Sequence, residues 1–346
     1  MRYKNIVIAG LGYELAPNVI TSDDLERRLR PVYEALHLQT GQLEALTGIE
    51  ERRFWDQGFK LSEGAIAAGK KALDKADMKA EDMGMLVYAG VCRENLEPAT
   101  ACAVAHGLGV PPRAQIYDLS NACLGVLNGM IQVANAIALG QIHAGLVVSC
   151  EASRQIVELT IERLLQTRDM EVFKETVATL TGGSGAVAVV LSEAEMAPAG
   201  HRLLGGVARS ATQHHGLCTW GPDSGVPSSA PQVMRTDSVG VLKHGIALGV
   251  ETFRDFKQVM QWGPDLPDKV ICHQVGSAHQ RTILDAIRID LAKDFSTYRF
   301  LGNIGTVSLP ITAAIADERQ FLQPGDKAGF LGIGSGLNCI MLGVQW

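Results

Sequence analysis

Aromatic residues make up only 5% of the 346-residue chain, and no stretch approaches the ~20 unbroken apolar residues of a membrane helix. The early charges Arg2 and Lys4 precede an apolar run too short for a signal peptide. A transmembrane or secreted protein is therefore not expected. The seven cysteines contain no CxxC pair, which speaks against a zinc ribbon, and their odd number speaks against a disulfide framework. Basic charge is also short: 31 Lys and Arg stand against 37 Asp and Glu, a net charge of −6, with no basic stripe to displace the counterions of a nucleic acid. Histidines lack metal-ligand spacing, so no metal site is expected. Gly10-Leu11-Gly12 follows an apolar run but lacks the third glycine of a dinucleotide fingerprint, and Gly332-Ile333-Gly334-Ser335-Gly336 lies too near the C-terminus to open a βαβ unit. What remains is a cytoplasmic globular protein with reduced thiols.

Glycine is abundant, 37 residues or about 11% against a usual ~7%. With an apolar fraction of 47%, this suits the tight turns and close packing of an α/β enzyme. Periodicity places strands at 4–9, 83–89, 115–119, 144–149 and 186–191, and helices from 21 or 22, at 61–75, from Pro98 to about 108, and at 122–139. Pro31 breaks or restarts the first helix. The alternation predicts a largely parallel, buried sheet. The second half repeats the plan, with strands at 203–210, 269–272, 328–332 and 339–344 and helices at 241–262, 276–287 and from about 303 to 322.

Two local likenesses suggest a duplication. Gly183-Ser184-Gly185-Ala186 resembles Gly334-Ser335-Gly336-Leu337, and Ser120-Asn121-Ala122-Cys123 stands, like Gly302-Asn303-Ile304-Gly305, between a strand and an apolar helix. The expected halves are residues 1–195 and 196–346, joined by a linker at 193–201, with a site at their junction. The Gly-, Pro- and Ser-rich stretch 214–231 reads as a mobile surface loop.

Four side chains are candidates for chemistry. Cys123 sits where a strand gives way to a helix, whose N-terminal dipole favours thiolate while burial opposes it; the alternative is a small buried hydrophobe. His273 ends the strand Ile271-Cys272, the usual place for an acid/base in open α/β folds, or it is a hydrogen-bonded strand-end histidine. Asn303 is a substrate-contacting amide or a helix N-cap. Glu97 directly precedes Pro98, so by local pattern it caps a helix with proline at its first position.

Cys123, His273 and Asn303, in that order on a duplicated α/β chain, resemble the thiolase superfamily and its ketoacyl synthase III branch. The resemblance runs the whole length, through Thr47-Gly48-Ile49-Glu50-Glu51-Arg52-Arg53, Asn121-Ala122-Cys123, Gly302-Asn303-Ile304-Gly305 and Gly332-Ile333-Gly334-Ser335-Gly336. It implies a five-layered αβαβα thiolase fold of two pseudo-twofold related halves, a homodimer, and Claisen condensation through an acyl-cysteine. Arg93-Glu94-Asn95-Leu96-Glu97-Pro98 is most similar to the OleA branch, which joins two fatty acyl-CoA molecules head to head and uses this glutamate as base. Gln42 and Leu46 stand where ordinary ketoacyl synthase III enzymes place a Trp and an Arg against the CoA adenine.

The resemblance assigns Cys123 as nucleophile, His273 and Asn303 as enolate stabilisers, the amides of Cys123 and Ser335 as oxyanion hole, and Glu97 as a base reaching the partner subunit's site. No cofactor beyond the CoA thioester substrates is implied. Chemical logic agrees on the base. A malonyl donor makes its carbanion by losing CO₂, whereas joining two plain acyl thioesters requires removal of a weakly acidic α-proton. The rival expectation is a decarboxylative synthase in which Glu97 merely caps its helix.

Overall fold

Runs of apolar residues become the centre of a sheet, because a strand covered on both faces has no solvent side on which to place polar groups. The computed structural model describes residues 1–222 and 231–346. The first half runs β1 (Ile6–Leu15), β2 (Asn18–Thr21), α1 (Ser22–Arg28), α2 (Arg30–Ala35), α3 (Gln42–Thr47), β3 (Glu51–Phe54), α4 (Leu61–Ala76), β4 (Met85–Ala89), α5 (Thr100–Leu108), β5 (Gln115–Leu119), α6 (Gly125–Ala138), β6 (Ala144–Glu151), α7 (Arg154–Thr167), α8 (Met170–Thr176) and β7 (Gly185–Glu193). The second runs β8 (His201–Ser210), β9 (Cys218–Pro222), β10 (Gln232–Thr236), α9 (Ser238–Met260), β11 (Lys269–Cys272), α10 (Ser277–Ile287), α11 (Tyr298–Leu301), α12 (Ser308–Glu318), β12 (Lys327–Gly334) and β13 (Asn338–Gln345). Strands β4 and β6 are buried along their whole length.

Nine strands form one sheet in the order β11-β12-β13-β8-β1-β7-β6-β4-β5. Its two wings meet where β1 pairs β8 through only Val7–Arg202 and Ile8–His201. Read outward from that seam, each wing places the first strand of its half, then the last, then the next to last, then the second. The position of β5 is taken in the second wing by a single parallel bridge between Val270 and Asp294.

The wings fold over a shared core. Residues of α6 and α12 pack with Val87, Val147 and Val189 of one wing and with Ile271, Phe330 and Leu342 of the other. Helices α4 and α5 cover the outer face of the first wing, and α9 and α10 that of the second. The layers are therefore αβαβα. Gly10 and Gly12, excluded above as a nucleotide motif, let α4 lie against β1: a Cβ would come within 2.3 Å of the Ala72 carbonyl at Gly10 and 2.4 Å of the Ala68 carbonyl at Gly12.

Several expectations are corrected. The sheet is mixed: only β4·β5, β4·β6 and β11·β12 are parallel, while β1·β7, β1·β8, β6·β7, β8·β13 and β12·β13 are antiparallel. The last strand of each half inserts beside the first and reverses direction, which alternation along the chain does not encode. Helix α5 starts at Thr100 rather than Pro98, and α6 at Gly125 rather than Ala122. The expected helix from about 303 to Leu322 is a 3₁₀ turn at Gly305–Val307 and then α12, preceded by the short α11. The expected mobile loop at 214–231 contains β9, which pairs with β10 just beyond the loop; the loop's residues 223–230 lie outside the described residues.

Candidate functional site

The turn between β5 and α6 carries Cys123. Ala122 there adopts φ +44°, a left-handed conformation that costs a residue with a Cβ of order 1–3 kcal/mol and is retained where surroundings impose it. Those surroundings come from both halves. Asn338 Nδ2 donates to Asn121 Oδ1 at 3.2 Å, and the Val126 amide at the start of α6 donates to Thr306 Oγ1 at 2.8 Å. The end of β12 runs alongside, and a Cβ on Gly334 would lie 3.4 Å from the Cys123 nitrogen.

The arrangement is reciprocal. The turn bearing Cys123 is tied to the first residue of β13, and the turn bearing Asn303 is tied to the residues preceding β7, with the Gly183 amide donating to the Asn303 carbonyl at 3.0 Å. The two likenesses read from the sequence thus occupy matching positions and bond across the halves. Thr306 is 1% exposed, so Thr306→Val leaves the Val126 N–H without its acceptor. Its expected cost is about 1–2 kcal/mol, read as a lower urea midpoint at unchanged slope; an unmoved midpoint would refute the cap.

A cavity of about 300 Å³ opens at this crossing, lined by Cys123, Asn303, Ser335 and Glu151 and, on its apolar side, by Ile156 and Met234 among others. Asn303 Oδ1 accepts the Gly305 amide at 3.1 Å, which commits the oxygen and leaves Nδ2 as the donor end. The Thr47–Arg53 motif lies outside the cavity and supports the Asn303 turn. The fully buried Arg52 donates to Ser22 Oγ at 3.0 Å and backs onto Gly302, while Glu50 pairs with Arg299. Leu46 on α3 is 55% exposed, so the surface there offers an aliphatic group.

His273 lies on the other side of β12. Its amide donates to the Leu331 carbonyl at 3.0 Å, and with His279 it lines a neighbouring void of about 20 Å³. Gln274 fastens this strand end to the segment leading to Asn303, accepting the Thr297 amide at 2.8 Å and the Tyr298 amide at 3.1 Å. The structure therefore unites Cys123, Asn303 and Ser335 in one cavity and sets His273 in the adjoining one.

Glu97 is exposed and lines neither cavity; it sits on the loop between β4 and α5, beside Leu96, which is 74% exposed. It does not cap α5. The first amides of that helix, on Thr100 and Ala101, are taken by the Asp118 carboxylate, each at 2.9 Å. The capping alternative is thereby removed.

Burial dominates the electrostatics. It pushes the Cys123 thiol up to about 12, assisted by the nearby Cys218 and Glu151. His273 is pushed down to about 3 by burial and by His279, so its ring is neutral at physiological pH. Burial also raises Glu151, against the opposing pull of the two amides it accepts.

Glu151, Thr306 and the hairpin residues Cys218, Trp220 and Met234 were not singled out from the sequence. A carboxylate closing the largely apolar run of β6 is a visible signal for Glu151. The hairpin was hidden by the turn-rich composition around it.

Residues 117–210 match the 3-oxoacyl-(acyl-carrier-protein) synthase III family and residues 259–346 its C-terminal part. The chain is 50% identical to an acyl-CoA:acyl-CoA alkyltransferase of Shewanella oneidensis and 38% identical to one of Xanthomonas campestris, each alignment covering 100% of both chains. A solved structure of a cysteine-to-serine variant of Xanthomonas campestris OleA, with bound lauric acid and lauroyl-CoA, is 38% identical, covers 99% of this chain and 100% of that one, and superposes with a TM-score of 0.94. Fold, site and full-length similarity together place the chain in the thiolase superfamily, in the OleA family of acyl-CoA:acyl-CoA alkyltransferases within the ketoacyl synthase III branch.

Proposed function

We propose that this enzyme joins two fatty acyl-CoA molecules head to head without decarboxylation, giving a 2-alkyl-3-keto acid. In the first half-reaction the Cys123 sulfur attacks the thioester carbonyl of one acyl-CoA, the thiol proton passes to the departing CoA sulfur, and an acyl-cysteine forms. The amides of Cys123 and Ser335 hold the oxyanion. In the second, His273 and the Asn303 Nδ2 hold the carbonyl of another acyl-CoA as Glu97 removes its α-proton. The enolate carbon attacks the acyl-cysteine, Cys123 leaves, and hydrolysis of the resulting β-ketoacyl-CoA releases CoA. No cofactor beyond the thioester substrates is required.

One observation supports this reading above the others: Glu97 is a carboxylate freed of any capping duty, on an exposed loop outside its own chain's cavity. An exposed carboxylate outside its own chain's cavity is free to serve a second copy. We therefore take the working form to be a homodimer in which each Glu97 completes the partner's site. A reducing, cytoplasmic setting fits seven cysteines that are all free. The two halves of the thiolase fold are assigned to 1–195, bearing Cys123 and Glu97, and 196–346, bearing His273 and Asn303.

The test is a mixed dimer. Neither Cys123→Ala nor Glu97→Ala chains make doubled product from one long-chain acyl-CoA. Co-refolded, half the dimers are mixed and one of the two sites in each is intact, so about a quarter of wild-type turnover returns. No recovery would place Glu97 in its own chain's reaction or in none.

A further inference from the structure

Glu151 takes no part in the chemistry above, yet it is 4% exposed at the end of β6 and lines the cavity with Cys123. A buried carboxylate is costly unless its oxygens are bonded. Those of Glu151 are divided between two successive amides: Val91 N–H donates to Oε1 at 2.9 Å and Cys92 N–H to Oε2 at 3.1 Å. Val91 and Cys92 begin the loop whose tip carries Glu97. Its base is held further by the Tyr88 hydroxyl on the Cys92 carbonyl at 3.0 Å and by the Gly90 amide on the Leu119 carbonyl at 3.1 Å. On its other side the carboxylate meets the Asn303 turn, where a Cβ on Gly305 would lie 3.5 Å from Glu151 Cδ.

We propose that Glu151 is a positioning residue for the condensation half-reaction, its carboxyl group clamping the base of the loop that carries Glu97. The inference rests on the two-step condensation proposed above. Rate in such a step depends on placement to within about an ångström, an error of that size costing on the order of a hundredfold. The clamp also has a consequence at Cys123. A negative charge in the same cavity opposes thiolate, so removing it must make the thiol more reactive while making condensation slower. A merely structural role lacks that divergence.

Glu151→Gln and Glu151→Asp separate the two effects. The amide of Gln sets an N–H donor against one of two N–H donors, and Asp keeps the charge but withdraws it by one methylene. In both variants, hydrogen exchange at the Val91 and Cys92 amides is expected to speed by about tenfold or more, and formation of doubled product from acyl-CoA to fall by about tenfold to a hundredfold. Alkylation of Cys123 by iodoacetamide, followed by peptide mass, is expected to rise severalfold in the Gln variant and to stay near wild type in Asp. Unchanged exchange at 91 and 92 in both variants overturns the clamp, whatever product the wild type makes. So does wild-type condensation in both, or alkylation and condensation falling together with the folded fraction. Failure of the underlying reading is seen separately, as no doubled product from the wild-type enzyme.

Discussion

Glu97→Gln is expected to lower head-to-head condensation of a single long-chain acyl-CoA by about 10²- to 10⁴-fold, the usual worth of a positioned base, while acyl-Cys123 accumulates. The side chain keeps its size and loses only its ability to take a proton, and α5 keeps the Asp118 carboxylate over its first amides, so the fold is spared. The first half-reaction needs no carboxylate. Intact-protein mass after mixing with acyl-CoA should therefore show one added acyl group per chain, beside a near absence of the doubled β-keto acid or its decarboxylated ketone. Full product from the variant would mean that another group takes the α-proton, whereas turnover only when a malonyl thioester is supplied would mean that CO₂ loss makes the carbanion and would return the enzyme to the decarboxylative class.

The larger effect belongs to Cys123. Its replacement by alanine removes the covalent route and is expected to cost on the order of 10⁶ in CoA release, as loss of a nucleophile does elsewhere. The pH dependence is the sharper signature. A thiol held near 12 by burial is protonated at neutral pH, so direct alkylation of the substrate-free enzyme should be slow at pH 7 and rise about tenfold per pH unit through pH 9 and 10 without levelling. The linked stability has the matching sign. An unfolded chain ionises this thiol near 8.5 and the folded one does not until far higher, so stability is lost as pH rises above about 8.5 towards 12. A plateau in alkylation below pH 9 would mean that the helix terminus, rather than burial, sets the thiol.

Much of this arrangement was legible in the sequence because the signals were local. Cys123 follows a strand and precedes a helix, and the strand assigned at 115–119 matches β5 residue for residue. The paired likenesses, Asn121 with Asn303 and Gly183 with Gly334, pointed to a crossing of two halves. Strand direction was not legible, because pairing of β7 with β1 and of β13 with β8 is decided by packing between distant segments. The local reading of Glu97 as a helix cap failed in the opposite way. A carboxylate before a proline fits the local pattern of a helix start, and only the placement of Asp118, on β5, shows the cap to be occupied.

The reciprocal bonds between the halves also bear on how the enzyme is made. Asn121 and Asn338, which hold the Cys123 turn, lie 217 positions apart. A ribosome adding 5–20 residues per second takes on the order of 10–40 s to cover that distance. Throughout that interval the nascent chain carries Cys123 without the strand that holds its turn, as a thiol with an ordinary acidity near 8.5. An oxidant or alkylating agent thus finds its easiest target on unfinished chains, and completion of the last strand ties down the turn that carries the thiol.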